Sequence, residues 1–238
     1  MRVELSTTIR VLTFRVSGDE LRGLTHRHLL VGLFATWVVG MGRWWKDPKA
    51  SVLQHLGVGS VIYIFLLAAF LWLILWPLTS VTWSYVNLLT FISLTSPPAL
   101  LYAVPVRAWF ELAVAQQLRM WFLVVVAGWR VLLWARYLRV GVGLSRPASL
   151  VMTVFPLAFI VVALMQLNLD RVVFNIMGGV RPEDVTVNDA AYQALILVTI
   201  VAVLSLIPLL PAYLVFAIRG LRSRYAIARH TPHGEEPT

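Results

Sequence analysis

The sequence predicts an all-α fold, a polytopic integral membrane helical bundle of about six transmembrane helices. Three observations carry that expectation. Hydrophobic residues make up 59% of the 238, charged residues 13%, and mean hydropathy is +0.80, a balance outside the soluble range. Several apolar runs reach the roughly 20 residues that cross a hydrocarbon core of about 30 Å at 1.5 Å per residue. Charges collect between those runs and at the chain ends.

Taken in chain order, residues 1–28 read as a cytoplasmic amino-terminal segment. They hold Arg2, Arg10, Arg15, Arg22 and Arg27 without an unbroken apolar core, so they form neither a cleavable signal nor a first span. Ser17-Gly18-Asp19-Glu20 has capping-box spacing, in which hydroxyl and carboxylate satisfy the free amides that open a helix. This predicts a helix starting near Gly18 and running towards the membrane. Residues 29–218 are the transmembrane domain, with apolar segments at Leu29 to Gly42, Leu56 to Leu78, Trp83 to Val104, Met120 to Tyr137, Ala148 to Leu169 and Ala190 to Ile218. The second, third, fifth and sixth are long enough to cross. The first is short and the fourth contains Arg130, so each is a tilted span or a segment in the interface. Residues 219–238 form a basic cytoplasmic tail.

Six spans place both termini in the cytoplasm and put more basic residues inside than outside, in line with the positive-inside rule. A rival with four spans, the first and fourth segments lying in plane, obeys that rule better. It must keep Met120 to Ala135 out of the hydrocarbon, although that stretch is apolar on nearly every face and lacks the polar face of an interfacial helix. Six spans are therefore preferred. Both arrangements put the Asp170 to Asp189 loop outside and locate the chain in the cell's inner (plasma) membrane.

Composition and motifs remove several function classes. With no cysteine there is no disulfide, thiolate metal site or cysteine nucleophile. The net charge of +9 orients the chain against the cytoplasmic leaflet rather than towards nucleic acid. All eleven carboxylates fall in termini, loops or span ends, which argues against a proton-coupled carrier and against a carboxylate-bound metal in the bundle. His26-x-His28 and His230-x-x-His233 lack the supporting ligands of a metal centre. No hydrolase or transferase motif occurs. The expectation is a non-enzymatic protein with no cofactor and no metal.

Arg130 is the one charge well inside an apolar segment, where a guanidinium is costly unless it finds water or partners. It lies roughly 9 Å along the helix from Arg136, a distance its side chain can largely cover by snorkelling. Otherwise it meets a lipid phosphate, a carboxylate from another subunit, or carbonyls freed by prolines. Pro97, Pro98, Pro156, Pro208 and Pro211 interrupt the third, fifth and sixth segments and free the carbonyls of Ser93, Leu94, Met152, Leu204 and Ile207. Those carbonyls need new donors in lipid, with Thr95, Ser96 and Ser205 nearby, so the kinks are expected to face the bundle interior.

The runs Leu94-Thr95-Ser96-Pro97-Pro98-Ala99-Leu100-Leu101, Gly128-Trp129-Arg130-Val131-Leu132-Leu133, Tyr137-Leu138-Arg139-Val140-Gly141-Val142-Gly143-Leu144-Ser145 and Val154-Phe155-Pro156-Leu157 resemble bacterial members of the Yip-type (Rab-interacting-protein-related) membrane family. The likeness covers about Leu89 to Leu164; the segment Ala190 to Ile218 and the acidic outer loop depart from the family pattern. It implies a helical bundle with a cytoplasmic amino terminus, no enzymatic residues, and a role in membrane organisation or partner binding. The sequence thus points to a protein that binds a membrane partner or organises lipid, with membrane lipids and another membrane protein or a second copy as partners. Arg130, Asp170, Glu183, Asp184 and Asp189 are the candidate contacts. The alternative is a transporter or permease subunit whose path is lined by the proline-kinked helices.

Overall fold

The computed structural model describes residues 2–45, 51–79, 84–167 and 190–230. Among them every regular element is helical: α1 Arg2–Leu12, α2 Gly18–Arg22, α3 His26–Trp44, α4 Val52–His55, α5 Val58–Leu75, α6 Tyr85–Leu94, α7 Leu112–Arg136, α8 Arg146–Gln166 and α9 Ala190–His230. A 3-10 turn, Trp76–Leu78, extends α5, two more, Pro97–Ala103 and Val106–Ala108, follow α6, and a π-helical turn, Tyr137–Gly141, closes α7.

Among the described residues four helical stretches are long and apolar enough to cross a membrane: Val58–Leu78, Gln117–Gly141, Arg146–Gln166 and Ile196–Tyr225. The fourth apolar segment of the sequence, which the rival topology lays in plane, belongs to this set. The third is a broken pair, bent by 43° between Tyr85–Leu94 and Pro97–Ala103. Pro97 and Pro98 have no amide to continue the helix, so the Ser93 carbonyl accepts from the Ser96 amide at 3.2 Å and the winding tightens. The first segment lies within α3, which is not one of the four. The histidines and arginines that extend α3 at both ends dilute its apolar centre.

The densest core forms where α5, α6, α7 and α8 meet the amino-terminal segment: Val11, Val16 and Leu21 pack with Leu75, Leu88, Phe91, Leu133, Tyr137 and Met152. The expected capping box is present, since Ser17 Oγ accepts from the Glu20 amide and the Glu20 carboxylate accepts from the Ser17 amide. The helix it opens stops at Arg22, and α3 starts afresh at His26. Helix α1 was not legible in the sequence, because its polar Glu4 and Thr8 are buried while Val3, Leu5 and Ile9 are exposed, the reverse of a soluble amphipathic helix.

Helix α3 runs alongside α6 and its 3-10 continuation. A Cβ on Gly32 would overlap Ser93 Oγ, Thr36 Oγ1 donates to Ser96 Oγ at 2.7 Å, and Gly42 approaches Ala103. The same helix approaches the start of α5 closely: a Cβ on Gly40 would stand 2.8 Å from the Gly57 carbonyl, and Gly57 itself has φ +66°. Only glycine meets both demands at position 57. Helix α9 packs on α8 and on the end of α5. There Tyr213 stacks on Phe155, with centroids 4.7 Å apart, and its hydroxyl donates to the Ile74 carbonyl at 3.1 Å. Further along, Arg224 Nε donates to the Thr79 carbonyl at 2.6 Å and its guanidinium covers the Trp76 ring.

Candidate functional site

Arg130 sits on α7 and is half-buried. It makes no hydrogen bond or ion pair among the described residues. Its charge acts on two groups carried by other elements, Arg43 in the last turn of α3 and Tyr102 in the 3-10 turn after α6. Arg43 stands over the Tyr102 ring, 5.0 Å from its centroid, the geometry of a cation–π contact. Tyr63 of α5 acts on the same pair. Trp45 Nε1 donates to the Ala103 carbonyl at 3.1 Å, which fixes the end of α3 to the turn that carries Tyr102. Arg43 and Tyr102 are thus in contact between α3 and the Pro97–Ala103 turn, within reach of the charge that Arg130 carries on α7. Like charges brought together in a low-dielectric setting repel, and a phosphate or carboxylate between them relieves that repulsion with charge-assisted hydrogen bonds.

Tyr102 packs with Val126 and Val39, one turn of α7 further from Arg136 than Arg130 is. Arg136 is itself engaged, donating to the Val16 carbonyl at 3.0 Å. The other candidate contacts, Asp170, Glu183, Asp184 and Asp189, lie outside the described residues.

The prolines divide into three groups. Pro156 is buried, and the Met152 carbonyl that it frees accepts from Trp134 Nε1 at 3.1 Å. A neighbouring helix therefore supplies the missing donor, and that donor is an indole rather than a hydroxyl. Pro97 and Pro98 are half-buried and end α6 outright. Pro208 and Pro211 are exposed on α9, against the expectation that every kink faces inwards. Ser205 does not reach the carbonyl of Leu204; it donates to Val201 at 2.6 Å.

A seam of hydroxyls runs between α3 and α6. Thr36, Thr90, Ser93, Thr95 and Ser96 are all buried. Thr90 donates to Val86, Ser93 to Thr90 and Thr95 to Ile92, all to carbonyls of their own helix, and Thr36 bonds within its helix and to Ser96. The seam is a packing device that lets two backbones approach. Among the described residues no three of His, Asp and Glu gather as metal ligands. His28 instead serves the start of α3, its Nδ1 3.2 Å from the Thr25 amide that donates to it.

Sequence reasoning missed the residues that hold the amino-terminal segment to the bundle. Asn87 Nδ2 donates to the Leu21 carbonyl at 2.8 Å, and Asn87 Oδ1 accepts from the Tyr137 hydroxyl at 2.9 Å. The signal was available: Asn87 is the one amide side chain between Trp83 and Val104, and a lone amide in an apolar run needs partners.

No family model, curated protein or solved structure matches the chain.

Proposed function

We propose that this chain is a non-enzymatic multi-pass membrane protein that binds a membrane partner or organises lipid by holding an anionic group at Arg130 and Arg43. The observation that carries the reading is the Arg43 guanidinium over the Tyr102 ring, which packs with Val126 of the helix that carries Arg130. A membrane supplies two anions of the right chemistry, the phosphate of a lipid and the carboxylate of another membrane protein, and Arg suits both.

In this reading the bundle has six crossings, with α3 as the first and the bent α6 pair as the third. Two contacts support it. Arg224, late in α9, bonds to Thr79 at the end of α5, and Asn87, early in α6, bonds to the amino-terminal segment. Both chain ends thus meet the bundle where α5 hands over to α6, as an even number of crossings requires. We assign that face to the cytoplasm of a cell's inner membrane by its arginines. The likeness to Yip-type proteins belongs to the same proposal. The transport alternative draws no support from the hydroxyl seam, whose donors are spent within the protein.

The test is purification of the full chain in mild detergent from its native membrane, with mass spectrometry of bound lipids and proteins, beside Arg130→Leu. The expected result is an enriched anionic lipid or a stoichiometric protein that is lost from Arg130→Leu. Identical contents in both preparations would sink the proposal.

A further inference from the structure

Residues 12–22 follow the end of α7 step by step. The Leu12 carbonyl accepts from Trp129 Nε1 at 3.1 Å, the Val16 carbonyl from Arg136 at 3.0 Å, Gly18 lies against the Val140 carbonyl, and Arg22 Nε donates to the Gly141 carbonyl at 3.1 Å. Trp129 is the central residue of the stretch Gln117–Gly141, so the Leu12 contact lies about 18 Å along the helix from the end at Gly141. Helix α1 approaches from that same end, because Glu4 pairs with Arg27 at the start of α3 at 4.0 Å. The chain reverses at Phe14, whose φ is +60°.

A reversal at this depth must satisfy its own backbone, since lipid offers no hydrogen bonds. It does so. The amides of Thr13, Phe14, Arg15 and Val16 donate to the carbonyls of Ile9, Val11, Arg10 and Arg10 again, and the amide of Ser17 donates to Glu20. Of the polar side chains in the segment, Glu4 and Thr8 are buried and Arg10 meets Glu20 at 2.6 Å, while Ser6, Thr13 and Arg15 are exposed. The apolar ones divide: Val11, Val16 and Leu21 are buried in the core, whereas those on the outer face of α1 turn outwards. Val3, Leu5 and Ile9 are 72%, 57% and 53% exposed, and Leu30 and Phe34 of α3 and Leu132 of α7 are similarly bare. In water, burying a carboxylate while exposing three aliphatic side chains is the wrong way round; beside acyl chains it is the stable arrangement.

We propose that residues 2–22 form a re-entrant amino-terminal loop, with the outer face of α1, Val3, Leu5 and Ile9, inserted in the hydrocarbon of the leaflet on that side. The partner of this surface is the bilayer itself. The inference rests on the reading that Gln117–Gly141 crosses the membrane, which the experiment checks separately.

The chain has no cysteine, so single nitroxide labels can be placed on the full protein at Ile9→Cys, Leu5→Cys and, as the control on α7, Val125→Cys. In phosphatidylcholine–phosphatidylglycerol vesicles, collisions with oxygen report hydrocarbon and collisions with a water-soluble nickel chelate report water. Labels at all three sites are expected to favour oxygen. Nickel-dominated collisions at positions 9 and 5, with position 125 favouring oxygen, would overturn the loop alone. Nickel-dominated collisions at all three would overturn the spanning helix as well.

Discussion

The Tyr137 hydroxyl and the Asn87 side chain form a 2.9 Å hydrogen bond that joins the end of α7 to the start of α6. Around it the Tyr137 ring stacks on Phe91, with centroids 4.0 Å apart, and against Trp134. Asn87 spends its amide on the Leu21 and Arg22 carbonyls, at the end of α2. One side chain thus ties three segments that are far apart in sequence.

Asn87→Leu keeps the volume and removes all three bonds. A buried hydroxyl and a buried carbonyl left without partners cost about 1–3 kcal/mol each. The expected outcome is a clear drop in the thermal midpoint in detergent, with faster proteolysis between α1 and α2. Tyr137→Phe removes the hydroxyl but not the ring, and is expected to cost about 1 kcal/mol. Equal effects from the two substitutions would refute this ranking.

Trp134 and Pro156 should behave as a coupled pair. Trp134→Phe leaves the Met152 carbonyl unsatisfied and is expected to cost about 1–3 kcal/mol. Adding Pro156→Ala restores the amide that bonds that carbonyl within α8, so the double variant should lose less than the sum of the singles. Additive losses, measured as thermal midpoints of all four proteins, would contradict the pairing.

Glu20 makes stability depend on acid. The Ser17 amide holds its carboxyl below the ordinary carboxylate value, against the effect of burial, with help from the Ser17 hydroxyl and the Arg10 charge. A group whose acidity is strengthened by folding stabilises the fold above its unfolded pKa of about 4.3. That contribution fades as pH falls through the lower, folded value. Thermal midpoints recorded from pH 7 down to pH 3 should fall less steeply for Glu20→Gln than for the parent chain. Parallel curves would remove Glu20 from the account.

Ser51 tests the direction of crossing. It is exposed at the start of α4, on the face opposite both chain ends in the six-span reading. Ser51→Cys should react with a membrane-impermeant maleimide added to intact cells. Protection in cells with labelling after lysis would return the four-span arrangement.

The all-helical architecture and the crossing helices were legible because hydropathy is summed over some 20 residues and survives errors at single positions. The Ser17–Glu20 cap was legible because its chemistry is local. Helix α1 was not, since its polar residues face protein and its apolar residues face outwards, so no soluble pattern applies. The partners of Asn87 and of the Met152 carbonyl come from elements distant in sequence. Spacing along one helix names the group that needs a partner but not which neighbour brings it.

The π-helical turn Tyr137–Gly141 acts as an insertion. A turn of this kind carries one residue more than an α-turn, and each residue of an α-helix rotates the chain by about 100°. Tyr137 has to face Asn87 while Gly141 presents its carbonyl to Arg22. The wider π winding turns less per residue, so regular α-helical winding over the same residues would rotate the Gly141 carbonyl away from Arg22. The π turn therefore sets two bearings at once.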